Sequence, residues 1–235
     1  MQFHTMILWA KAREMEFEEV VDQAYQLLSY LREFGPELAP NYETVWKKSD
    51  AKLLKGTYEE LKEIIAKEVK KAEKDDISKG LGYTLGFFSS LNDEESAGIS
   101  LRIGVSDPKF VNSFIVDFPL NLSLYELFIA EKVYVLFKKC ILCFEPYFGF
   151  VANNKNSDRY EKFWHNDRPT TTHWLNFFGE DLVKLFGEQK IKNAPAELIE
   201  KVGNGYLIRL KKLPIDDESE FDLQLQRRLN SYFRL

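Results

Sequence analysis

Apolar residues recur at three- and four-residue spacing through Phe17, Val20, Val21, Ala24, Leu27, Leu28 and Leu31, which predicts an amphipathic helix over 16–34. Gly35-Pro36 closes it, because proline cannot continue a helix. Residues 3–10 are apolar and short and read as a strand; residues 41–46 read as another. Thr57-Tyr58-Glu59-Glu60 is a capping box and opens a second helix. Its apolar stripe, Leu61, Ile64, Ile65 and Val69, is thin, and the rest of it is Lys and Glu.

The period changes after Gly80. Residues 81–90, 99–105 and 111–119 carry a two-residue alternation or short apolar runs separated by polar turns, and this predicts an antiparallel meander. A helix is expected over 123–137, with Ser123 as its cap and Lys138-Lys139 at its end. Further on, the expected elements are a partly extended 141–152, a helical turn at 158–164, a strand at 172–178 and a helix at 180–186. A helix opened by Pro195 follows, then a tight Gly203-Asn204-Gly205 turn and a strand at 206–213. A C-terminal helix over 219–233 carries Phe221, Leu225, Leu229 and Phe233 at heptad-like spacing. Strands in runs with helices around them predict an α+β fold, mostly an antiparallel sheet flanked by helices, with a helical N-terminal portion. We expect one domain over 1–235, a helix-rich part (11–76) packed on a sheet-containing part (81–235).

Composition narrows the function classes. The net charge of −5 argues against nucleic acid, since phosphate neutralisation needs clustered Lys and Arg, but it suits a partner with a basic surface. No basic and apolar leader opens the chain and no apolar run is long enough to span a bilayer. These features predict a cytoplasmic protein with no membrane partner.

Candidate chemistry is sparse. Cys140 and Cys143 form a CxxC without a second pair, and the apolar Ile141-Leu142 between them suggests burial rather than redox or zinc chemistry. His165 and His173 lie near Asp158, Glu161 and Asp167, but without any spacing that sets two imidazoles on one face. Nucleophile elbows and phosphate loops are absent. The expectation is therefore no catalytic residues, no metal and no cofactor; a metal-assisted hydrolase using residues 161–173 is the alternative. Exposed aromatics in a polar rim make binding hot spots, so Tyr147, Phe148, Tyr160 and Trp164, with the acidic turn Asp216-Asp217-Glu218, are the candidate partner-binding residues.

Five stretches of the second half carry a resemblance: Ser100-Leu101-Arg102-Ile103-Gly104, the apolar strand ending at Pro119, Pro146-Tyr147-Phe148-Gly149-Phe150-Val151, Trp174-Leu175-Asn176-Phe177-Phe178-Gly179 and Gly205-Tyr206-Leu207-Ile208. With the acidic turn and terminal helix after them, they resemble immunity protein family 52 of bacterial polymorphic toxin systems, over about residues 81–235. The resemblance implies neutralisation of a cognate toxin by direct binding and supplies no catalytic residues. A regulatory interaction module without a toxin partner fits the same residues, and the oligomeric state is left open.

Overall fold

A computed structural model describes residues 3–72, 80–157, 164–165 and 168–235. The chain divides into two compact units, one of Met1–Leu8 with Ser123–Leu235 and the other of Trp9–Leu122. The first strand, β1 (His4–Lys11), contributes its beginning to one unit and its end to the other. The strands follow the order β10-β11-β9-β6-β1-β5-β4-β3-β2, with ranges given below.

In the unit of Trp9–Leu122, α1 (Phe17–Phe34) buries Val20, Val21, Ala24, Leu27, Leu28, Leu31 and Phe34 along one stripe. The Glu16 N–H donates to the Glu19 carboxylate at 2.9 Å and closes its first turn. After β2 (Tyr42–Glu43), α2 (Tyr58–Ala72) starts where Thr57 Oγ1 accepts from the Glu60 N–H at 3.2 Å. Then β3 (Tyr83–Phe88), β4 (Gly98–Ile103) and β5 (Val111–Asp117) form the expected antiparallel meander. Leu85 pairs with Leu101, and Leu101 with Phe114, so one face of the meander is continuously apolar.

The helical N-terminal portion predicted from the sequence is corrected here. The chain opens with a strand, and α1 and α2 lie on β4 and β3 of the same unit rather than forming a separate helical part. A half-buried meander needs cover on its apolar face, and single-stripe helices supply it.

In the other unit, α3 (Leu127–Phe144) precedes β6 (Phe148–Asn153), the short turn α4 (Asn154–Ser157), the pair β7 (Trp164–His165) and β8 (Arg168–Pro169), and β9 (Leu175–Phe178). Next come α5 (Glu180–Phe186), α6 (Glu188–Lys192), β10 (Leu198–Val202), β11 (Gly205–Arg209) and α7 (Glu220–Phe233). Every residue of β6, β9 and β11 is buried, so these strands are covered on both faces. A Cβ on Gly205 would meet the Phe178 carbonyl oxygen at 2.2 Å; only glycine admits that approach.

Helix α6 has no counterpart in the sequence reading, and two further elements depart from expectation. Helix α3 starts at Leu127 and runs past Lys138-Lys139, because Cys140, Ile141 and Phe144 extend its buried face. It ends at Glu145, whose backbone is left-handed (φ 52°), with Pro146 next. The helix expected after Pro195 is instead β10, paired antiparallel with β11 from Val202–Gly205 to Leu198–Arg209. The helical turn expected at 158–164 falls largely outside the described residues; Trp164 is in β7.

Candidate partner-binding surface

The aromatic candidates gather at the start of β6. The Tyr147 and Trp164 rings meet edge-to-face with centroids 5.4 Å apart, and Trp164 lies 5.3 Å from Phe148. Tyr147 and Trp164 are half-buried, whereas Phe148 is 1% exposed and forms the floor beneath them. Burial pushes the Tyr147 phenol up to about 12, so it stays a neutral hydroxyl. Tyr160 lies outside the described residues.

The acidic candidates lie beyond the far end of β6, where Lys155 pairs with Glu218 at 3.7 Å. A six-residue strand is about 20 Å long, so the expected surface is two patches rather than one. Asp216 and Glu218 are exposed, and the Glu218 N–H donates to Asp216 Oδ1 at 3.0 Å. Asp217 is buried and accepts from the Asn153 amide at 3.3 Å.

The residues weighed for chemistry are placed differently. His173 is 1% exposed and stacks on Phe150 with centroids 4.4 Å apart; burial lowers its pKa to about 3. Asp158, Glu161 and Asp167 lie outside the described residues, as does the His165 side chain. Among the described residues no group of three or more His, Cys, Asp and Glu could hold a metal ion. Cys140 and Cys143 lie within α3 and are not in a disulfide. Burial pushes the Cys140 thiol up, the reverse of what a reactive thiolate requires.

Sequence reading missed a buried polar network under α7. Asn156 and Gln226 exchange amide hydrogen bonds at 2.9 and 2.8 Å, and Gln226 also donates to the Thr172 carbonyl at 2.6 Å. Asn230 Oδ1 accepts from both the backbone and the hydroxyl of Thr172, each at 2.7 Å. Lys211 reaches the buried Asp222 at 2.6 Å. Every one of these residues is polar and scattered in sequence, so no periodicity marks them. A second cluster joins α3 to the β10–β11 hairpin. There Arg209 lies 4.8 Å over the Tyr134 ring and pairs with Glu131 at 2.7 Å and Glu197 at 3.3 Å. Glu200 accepts from Tyr134 and Lys138. Both networks hold elements together.

The largest departure from ordinary burial is Trp46, 98% exposed. It follows β2 on a tip where Val45, Lys47, Lys48, Lys52 and Leu53 are also exposed. Sequence reading had folded residues 41–46 into a strand and passed over it. The available signal was Val45-Trp46-Lys47-Lys48 itself, two apolar residues leading directly into a lysine pair. Helix α3 carries a second exposed stripe of Phe128, Val135 and Leu142, seven residues apart and opposite its buried face.

No helix among the described residues is long and apolar enough to cross a membrane. No family model and no curated protein sequence matches the chain. Its structure is similar to that of the Pseudomonas aeruginosa T6SS protein PA0821, with a TM-score of 0.70 at 12% identity, covering 99% of this chain and 72% of that one. At that identity the likeness establishes a shared fold.

Proposed function

We propose that this protein neutralises a bacterial toxin by binding it directly, without catalysis, as an immunity protein that meets its toxin in the cytoplasm. The observation that carries this reading is the fold held in common with a T6SS protein over 99% of the chain. A toxin-associated setting is compatible with the immunity role that the resemblance of residues 81–235 implies. The burial of His173 against Phe150 adds support, because it takes one imidazole of the candidate metal cluster at 161–173 into the core.

Co-expression with the product of the adjacent gene tests the proposal. The expected outcome is a stable one-to-one complex and growth restored to a strain that the neighbour alone arrests. A neighbour that neither binds nor arrests growth would rule the reading out.

A further inference from the structure

An exposed tryptophan is costly unless something covers it, because hot-spot residues of this kind gain their binding energy by leaving water. Trp46 is held out in solvent by a well-fastened base. Tyr42 bridges Leu53 across the tip, and the Thr44 N–H donates to the Gly86 carbonyl at 2.8 Å. The Leu54 N–H donates to Asn41 at 2.8 Å, and a single 3-10 turn over Lys48–Asp50 shapes the far side. The Lys48 ammonium pairs with Asp93 and sits 5.3 Å over the Phe88 ring. The tip is thus preorganised, which spares a binding element the entropy of ordering. It follows a sheet edge, since β2 is the last strand of the sheet order.

The tip also reverses the charge of the molecule. Residues 45–55 hold Lys47, Lys48, Lys52 and Lys55 against Asp50 alone, in a chain of net charge −5. A cationic rim around an apolar point is complementary to one kind of surface, an apolar recess edged with carboxylates.

The geometry points to the Val45–Leu53 tip as the element that enters an acid-edged apolar cleft of the toxin, with Trp46 as the anchor and Lys47 and Lys52 as the steering charges. This rests on the immunity reading and specifies the face and the partner chemistry it uses.

The test uses the full chain and the toxin encoded beside it. Trp46→Ala leaves folding intact, because its side chain packs on little, and is expected to weaken the complex by about 100-fold with an unchanged melting temperature. The double variant Lys47→Glu/Lys52→Glu is expected to slow association by about tenfold at low salt and to lose that effect at high salt. If the wild-type protein binds and protects while Trp46→Ala binds equally well, the tip assignment is overturned and the immunity reading stands; a loss on Phe128→Asp would then place the contact on α3. If Trp46→Ala weakens binding but charge reversal does not, the cleft is not acid-edged. Failure of the wild-type protein to bind overturns both readings.

Discussion

His4 and His173 are buried where an imidazolium would be poorly solvated, and burial lowers their pKa values to about 4 and about 3 from an ordinary 6.5. Asp217 pulls His4 the other way, by less than burial does. Below pH 6.5 the unfolded chain therefore takes up two protons that the folded chain refuses. Stability is fully present above that pH and falls as the pH drops toward 4 and 3. At pH 5 each histidine removes about 2 kcal/mol. Urea unfolding at pH 7.5 and pH 5 should show a lower midpoint in acid, and His4→Phe should flatten the difference by about half; equal midpoints in the wild type would refute the account. Neither histidine's burial was legible from its neighbours in sequence. His173 owes its place to stacking on Phe150, 23 positions earlier, and such a contact leaves no local pattern. Trp46 is the opposite case in placement, exposed where residues 41–46 read as a strand, and the Lys47-Lys48 pair that follows it is the only local sign of that.

At the scale of elements, legibility followed period. The meander β3–β4–β5, α1, α2 and α5 were expected where they are, because each carries an unbroken apolar alternation or stripe. β10 reads as a helix because Pro195 suits a helix start and Leu198-Ile199-Glu200-Lys201-Val202 has no two-residue alternation to outweigh it. The two-residue Gly203-Asn204 connection, with Gly203 at φ 54°, was the available hairpin signal. In α7 the series Phe221, Leu225, Leu229 and Phe233 does not mark a single buried face: Phe221 is exposed, and Asp222 and Gln226 are buried beside Leu229 and Phe233. A polar residue can occupy a core position when its hydrogen bonds are all met, and hydropathy does not show this. Gln226→Ala should therefore cost about 3 kcal/mol by stranding the Asn156 amide and the Thr172 carbonyl, and Leu225→Ala distinctly less. Gln226→Leu should not recover the loss. Chemical denaturation of the three variants decides between the two faces.

Net charge argues against nucleic acid and the runs of strands among helices predict an α+β protein, but no local pattern marks the division of the chain at 8/9 and 122/123. That division depends on a strand pairing across more than a hundred residues. Met6 and Leu8 of β1 are fully buried, and Phe3 and Asn154 exchange hydrogen bonds at 2.9 Å, the Asn154 N–H reaching the Phe3 carbonyl and the Phe3 N–H reaching the Asn154 side chain. A fragment of residues 123–235 should therefore lack a cooperative thermal transition, because β6 is left as a bare apolar edge. The same fragment preceded by residues 1–8 on a flexible linker should regain one, as circular dichroism would show. The arrangement also sets a timetable for synthesis. The first residues of β1 leave the ribosome on the order of ten seconds before β6 exists, while the strand's last residues belong to a unit that is already complete. The nascent chain must carry Met6 and Leu8 uncovered through that interval. Soluble yield will then be set by how well the early strand is shielded while it waits, and chaperone depletion should lower yield without changing the stability of the molecules that finish folding.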